Sequence, residues 1–419
     1  MFKFIHAADI HLDSPLRGLE RYEGAPVDSV RQASRRAMEN MVDLALREQV
    51  AFVIIAGDLF DGDWKDYNTG LYFVRQMSRL AESGIAVFLL KGNHDAANKL
   101  TKSLPLPDNV KVFAHKSPQT FRLDEFNVSV HGQSFATGDV KDDLSANYPA
   151  ADAGRVNIGV LHTCASGRDG HDSYAPCKLE GLLSKGYQYW ALGHIHKREV
   201  LNKEPLIVFP GNIQGRHIRE SGRKGCSLVT VDDRNSISEE FVELGVMRWE
   251  NVTVDLSGLK TEDEAFSQIS MALDSALQEA EGMPLAVRVH LTGRTALDSG
   301  LRSVRKHWTE SIRALGLDRG SDRVWIEKVK IETESVLVES SEHFDGPLAE
   351  LLLVITETAQ DTDALNELQD ELADLRTRLP AELGESKMLA SNEWIKSSLV
   401  DVQQLLLDKL TKPLSTASK

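Results

Sequence analysis

Short apolar runs alternate with amphipathic stretches through the N-terminal part of the chain. Residues 2–8 read as a buried strand. From Ser29 to Gln49, the residues Val30, Ala33, Ala37, Met41, Leu44 and Ala45 recur at helical spacing among charges. Ala51–Ala56 is continuously apolar, the pattern of a strand covered on both faces. A helix over about 68–82 ends at Gly84, and Ile85–Leu90 is another such strand. This β-α-β-α-β alternation predicts an α/β layered fold. From about 110 to 162 the pattern turns to strands and hairpins, as in Thr120–His131. Further strands are predicted at Val156–Leu161, Tyr187–Leu192, Leu206–Phe209 and Cys226–Val231.

The character changes near residue 245. Strand (Val252–Leu256), helix (about 261–281), strand (Ala286–Leu291), helix (about 298–316) and strand (Val324–Glu332) make a compact second α/β unit. Glu339–Pro347 is polar and turn-rich, which predicts a linker. Two amphipathic helices, about 347–378 and 387–410, flank Pro380 and Gly384. On the first, Leu348, Leu351, Leu352, Ile355, Leu365, Leu368, Leu372 and Leu375 make an apolar stripe on an acidic background. The expected domains are therefore 1–245, 246–338 and 339–419.

The polar residues that carry chemistry follow the apolar strands directly. Strand 2–8 leads into Asp9 and His11, strand 51–56 into Gly57, Asp58 and Asp61, and strand 85–90 into Gly92, Asn93 and His94. His162 follows strand 156–161, and Gly193, His194 and His196 follow strand 187–192. Ligands in α/β sheets bind outside the carboxyl ends of strands. Two residues apart in extended backbone, the paired residues of DxH and HxH point the same way. Imidazole, carboxylate and amide together suit Mn²⁺, Fe²⁺ or Zn²⁺. Seven ligands (Asp9, His11, Asp58, Asn93, His162, His194, His196) exceed one ion's needs but suit two ions sharing a carboxylate. Such a pair, about 3.5–4 Å apart, activates water and clamps a phosphoryl oxygen, so no Ser or Cys nucleophile is required. His94 is the candidate to meet the phosphate and protonate the leaving oxygen.

Composition narrows the setting. With 42% apolar and 26% charged residues the chain reads as soluble and globular. No run approaches the roughly 18 apolar residues of a membrane span, and the N-terminus lacks an export signal. The expected location is cytoplasmic, with no membrane partner. Cys164, Cys177 and Cys226 form no CxxC pair, which removes a cysteine metal site. Residues 1–245 hold 29 basic and 32 acidic residues, a net of −3, whereas residues 246–419 hold 19 and 31, a net of −12. Nucleic-acid binding would need a local basic surface. Arg216, His217, Arg219, Arg223 and Lys224 supply a cluster within Gly211–Gly225. It reads either as a phosphate-contacting loop (Arg216, His217 and Arg219 as substrate residues) or as a solvated surface. The acidic C-terminal part is better suited to a protein partner.

DxH, GDxxD, GNHD, a lone His after a strand, and GHxH are the ordered motifs of the calcineurin-like metallophosphoesterases, which this chain resembles. Within them, "HAADIHLDSPL", "IAGDLFD", "ALGHIHKRE" and "PGNIQGRHIRESGRKG" are similar to the bacterial DNA-repair exonuclease group of SbcD and YhaO type. The resemblance implies a four-layer α-β-β-α sandwich with a small α/β cap and a C-terminal helical segment. It implies one ion on Asp9, His11, Asp58 and His196, and a second on Asp58, Asn93, His162 and His194, with Mn²⁺ the usual metal. Asp61 stands at a catalytic position where archaeal and eukaryotic relatives carry a His that positions DNA. An SbcC/YhaN-like ATPase, docked on the C-terminal helices, and homodimerisation through the phosphoesterase domain are also implied. The helices could equally pack on their own body. Three functions compete: a Mn²⁺-dependent DNA nuclease, exonucleolytic in repair; a small-molecule phosphodiesterase or phosphatase on the same metals; and a non-enzymatic scaffold.

Overall fold

The computed structural model describes residues 1–14, 27–61, 67–97, 104–165, 175–320, 323–336, 346–372 and 391–411. By chain contacts it divides into two compact units. The first comprises Met1–Asn251, Ala276–Arg288 and Arg319–Glu327; the second comprises Val252–Ser275, Val289–Asp318 and Lys328–Lys419.

Two six-stranded sheets form the centre of the first unit. One contains β1 (Phe2–Ala7), β2 (Phe52–Ala56), β3 (Ala86–Leu90), β4 (Val110–Val112), β11 (Gly225–Val231) and β12 (Ile237–Glu243), in the order β12-β11-β1-β2-β3-β4. β1 to β4 are parallel, and β11 and β12 join antiparallel. The other contains β5 (Gln119–Leu123), β6 (Val128–Gly132), β7 (Val156–His162), β8 (Tyr189–Gly193), β9 (Glu199–Lys203) and β10 (Leu206–Phe209), in the order β5-β6-β7-β8-β10-β9. Its four inner strands are parallel, with antiparallel strands at both edges.

The side-chain pattern explains the layering. Phe4, Phe52, Ile54 and Phe88 on the first sheet meet Val130, Ile158, Val160 and Tyr189 on the second, and Phe4 stacks on Phe52 at 4.9 Å. Each fully buried side chain of this size contributes about 1.5–3 kcal/mol over exposure. Ile5, Val53, Ile55 and Val87 point the opposite way, against α1 (Val27–Glu48) and α2 (Tyr67–Glu82). α1 buries Ala33, Ala37, Met38, Met41 and Ala45, a stripe at spacings of three and four. On the far side of the second sheet, Trp190, Leu192, Ile207 and Phe209 pack with Tyr148, Tyr187 and Leu182 of α4 (Leu179–Leu183). The first unit is thus a layered mixed α/β sandwich, two sheets face to face with helices outside them. The remaining short helix, α3 (Asn93–Ala97), opens directly after β3.

A third sheet runs in the order β13 (Arg248–Asp255), β14 (Leu285–Thr295) and β15 (Val324–Ser335), with α5 (Glu262–Glu279), α6 (Asp298–Ser303) and α7 (Arg305–Gly320) between its strands in sequence. The single helix expected over 298–316 is two, because Val304 leaves helical geometry at φ −119°, ψ 40°. The long helix expected from 347 also divides, into α8 (Pro347–Gln360) and α9 (Thr362–Glu371), followed by α10 (Asn392–Thr411). Asp361 is the cause. Its extended backbone stops α8, and its carboxylate accepts from the backbone N–H groups of Asp363 and Ala364 to cap α9. The expected linker, apart from its last residues, and the stretch holding Pro380 and Gly384 lie outside the described residues. Among the described residues no helix is long and apolar enough to cross a membrane.

Candidate metal centre

Five strand ends from the two facing sheets deliver the site. β1, β2 and β3 of the first sheet lead to Asp9 and His11, to Asp58 and Asp61, and to Asn93 and His94; β7 and β8 of the second lead to His162, His194 and His196. The backbone there is not the extended form expected for DxH and HxH. Asp9, His11 and Asp58 have φ of 51°, 45° and 51°, and His194 has 101°. Left-handed backbone is costly for such residues and persists only where the surroundings fix it. Here hydrogen bonds between two loops fix it: Asp9 N–H donates to Gly57 O at 3.0 Å, His11 N–H to Asp58 O at 3.0 Å and Leu12 N–H to Leu59 O at 2.9 Å. The side chains converge because the loops curl, not because they alternate along a strand.

Three groupings result. Ligand atoms of Asp9, His11 and His196 all lie within 4.8 Å of one another, as do those of Asp58, His162 and His194, and those of His11, Asp58 and His94. Asn93 joins the second group, its Oδ1 2.9 Å from His162 Nε2. Asp58 Oδ2 lies 3.8 Å from His11 Nε2 and 3.4 Å from His162 Nε2, between the first group and the second. All seven expected ligands are therefore gathered.

Closeness is imposed by missing side chains. A Cβ on Gly92 would lie 2.3 Å from Asp58 Oδ1, and one on Gly193 would lie 1.9 Å from Ala56 O. Gly57 combines φ +98° with a Cβ position 2.3 Å from His162 Nδ1. Asp95, absent from the expected set, is buried and accepts from the backbone N–H groups of Leu59, Phe60 and Gly92, tying the loops after β2 and β3 together. Burial, reinforced by the charge of Asp58, pushes its pKa up to about 6.

The donor chemistry fits two cations. His162 Nδ1 donates to Ala56 O at 3.0 Å, which turns Nε2 toward Asp58 and Asn93. Burial opposes charge on His162, yet the Asp58 carboxylate overrides it and lifts the pKa to about 9. That cavity favours positive charge. On the other side, burial lowers His11 to about 4, so it is a neutral imidazole at physiological pH. His11 Nε2 faces His196 Nε2 at 3.2 Å, with Asp9 Oδ1 4.0 Å from the latter. Asp9, itself raised to about 6 by burial, receives the backbone N–H of His194 at 3.0 and 2.9 Å.

Next to both groups, His94 Nδ1 lies 2.7 Å from Asp61 Oδ1, and its backbone N–H donates to Asp58 Oδ1 at 3.0 Å. The hydrogen bond to Asp61 raises the His94 pKa. Burial works against the Asp61 charge, but the neighbouring imidazoles of His11 and His94 hold it well below the usual carboxylate range. Ser14 Oγ donates to Asp61 at 2.5 Å. Of the basic cluster, Arg216 enters the site, its Nη1 3.4 Å from Asp61 Oδ2 and its Nη2 2.9 Å from Glu220 Oε1. His217 is exposed, 3.5 Å from the same Glu220 oxygen, and Arg219 is exposed outside the groups. Arg223 pairs with Glu243, and Lys224 is buried with Nζ donating to His196 O at 2.9 Å. Glu220, also absent from the expected set, accepts from His196 Nδ1 at 2.7 Å. Nothing in its sequence context marks it, because its partner lies on another loop.

Residues 2–198 match the family described as calcineurin-like phosphoesterase, and residues 249–334 match the middle domain of metallophosphoesterase YhaO. The chain is 34% identical to the uncharacterized metallophosphoesterase YhaO of Bacillus subtilis, over 79% of this chain and 82% of that one. It is 23% identical to the DNA double-strand break repair protein Mre11 of Methanopyrus kandleri, over 83% and 74% of the two chains. To the protein of the same description from Sulfolobus acidocaldarius it is 28% identical, over 55% and 60%. A gathered His, Asp and Asn centre at the rim of two facing sheets and a match of this extent lead to one assignment: the chain belongs to the calcineurin-like metallophosphoesterases.

Proposed function

We propose that this protein hydrolyses phosphodiester bonds in DNA, using two divalent ions of which Mn²⁺ is the foremost candidate. The observation that carries the reading is Asp58, whose Oδ2 stands within 3.8 Å of His11 and 3.4 Å of His162 and so can serve both ions. In this reading Asp9, His11, Asp58 and His196 hold one ion, and Asp58, Asn93, His162 and His194 hold the other. Bound ions would supply Lewis acidity for nucleophile activation and neutralisation of phosphoryl charge. Asp61 accepts a hydrogen bond from His94 Nδ1–H and favours the protonated ring, leaving Nε2–H to donate to the leaving oxygen. The partial exposure of His94 leaves it reachable by a polymer. The exposed His217 and Arg219 are the candidate backbone-phosphate contacts, whereas Arg216 is already engaged with Glu220 and Asp61.

Relatives named as DNA repair proteins support DNA over a small ester. An SbcC/YhaN-like ATPase on the C-terminal helices, a homodimer and a cytoplasmic location belong to the same reading. It takes 1–245 as the nuclease domain, 246–338 as a cap and 339–419 as linker and partner-binding segment. Leu353 and Val354 are more than half exposed on α8, which supports a covered helical face. The test is digestion of end-labelled single- and double-stranded DNA with Mn²⁺ or chelator, by wild type and His94→Ala, beside bis-p-nitrophenyl phosphate. Mn²⁺-dependent DNA cleavage that collapses in the variant is expected. Turnover of the small diester with intact DNA would assign a small-molecule phosphodiesterase instead.

A further inference from the structure

We infer that Glu220 is the positioning residue for His196, and that the segment 211–224 is first the back wall of the metal centre and only at its exposed residues a substrate surface. The inference rests on the two-ion reading and adds a residue that the ligand motifs do not contain. Glu220 is 5% exposed, which demands that its charge be compensated. Five N–H donors converge on it, among them Arg216 Nε at 3.3 and 3.4 Å from its two oxygens. His196 Nδ1 lies 2.7 Å from Oε1 and Arg216 Nη2 2.9 Å from the same oxygen; Asn212 Nδ2 lies 2.9 Å and the Arg216 backbone N 2.8 Å from Oε2. Both oxygens accept, so the group must be a carboxylate. An amide would turn an NH₂ against two donors.

The consequence for His196 is chemical. A carboxylate with no proton to give forces Nδ1 to carry the hydrogen, which leaves the Nε2 lone pair toward Asp9 and His11. The main chain of the same residue is held too: Lys224 Nζ donates to His196 O at 2.9 Å, and Asn212 N–H donates to it at 3.4 Å. Arg216 then links this wall to the His94 side through Asp61 and Ser14, each 3.4 Å from Nη1. Among the described residues no comparable carboxylate stands behind His162, whose Nδ1 uses the Ala56 carbonyl. The two ions should therefore respond differently to Glu220.

Isothermal titration of the full chain with Mn²⁺ after chelator removal tests this, using wild type, Glu220→Gln and Glu220→Asp. Two ions are expected for wild type. In Glu220→Gln one affinity should fall by about 10–100-fold while the other is unchanged, with apo-protein circular dichroism as for wild type. Glu220→Asp keeps the charge and should recover part of the loss; it also decides the matter if the Gln variant does not fold. Two unchanged affinities in a folded variant would overturn the inference and leave the two-ion reading standing. Equal weakening of both ions would overturn the specific link to His196. A wild type that binds no Mn²⁺ would overturn both.

Discussion

His6 sits on β1 in the layer between the two sheets and is fully buried, with Nε2 donating to Leu192 O at 3.1 Å and Nδ1 accepting from Tyr189 Oη at 2.9 Å. Both ring nitrogens are satisfied in the neutral form. Burial drops its pKa from 6.5 to about 3, only partly offset by the Leu192 carbonyl. Between those values the unfolded chain binds a proton that the folded chain refuses, so stability rises with pH across the window. The contribution is complete above about pH 6.5 and is lost as pH falls toward 3. At pH 5 the loss is about 2 kcal/mol, from a gap of roughly 1.5 pH units at 1.36 kcal/mol each. For a domain of this size that is about 3–4 °C in Tm. His6→Gln keeps one donor and one acceptor but cannot titrate. Melting curves of both apo proteins, in chelator at pH 7.5 and pH 5, isolate the effect as a difference of differences. Wild type should lose about 2 kcal/mol more than the variant over that interval. Parallel pH profiles would refute the reasoning, by showing that His6 takes up its proton in place.

Asp61→Asn should move the alkaline limb of the activity profile to lower pH, because the proposed acid His94 would lose the carboxylate that raises its pKa; an unmoved limb would remove His94 as the acid. Gly193→Ala pushes a methyl to within 1.9 Å of Ala56 O, and overpacking of this kind costs about 1–3 kcal/mol, measurable by chemical denaturation. Chelation should abolish hydrolysis and lower Tm, with both restored by Mn²⁺. An ion at a hundred times its Kd contributes about 2.7 kcal/mol, so an unchanged Tm would mean the groups do not hold metal.

The sheets and the rim they share were legible because β2 and β3 are almost wholly buried runs that end abruptly in polar residues. The loops were not. Nothing local announces left-handed backbone at Asp9, His11, Asp58 or His194; it is imposed by a neighbouring loop nearly fifty residues away in sequence for the first three. Glu220 was hidden for the same reason, as one acid among basic residues in what reads as a surface loop. The break between α8 and α9 was the opposite case. Asp361 carries its own capping signal, but the leucine stripe running past it masks the break.

The hydrogen bonds that lace the loop after β1 to the loop after β2 have a consequence for how this centre could change over time. The cradle is held largely by main-chain atoms, Asp9 N to Gly57 O, His11 N to Asp58 O and Leu12 N to Leu59 O. Between these two loops the frame depends little on which side chains project from it. Exchange of the nitrogen donor for an oxygen donor at His162, or of the amide oxygen for a nitrogen donor at Asn93, would retune metal preference on an unaltered chassis. A glycine lost from that chassis would instead break it for any metal. Diversification of chemistry is thus open at the ligands and closed at the glycines.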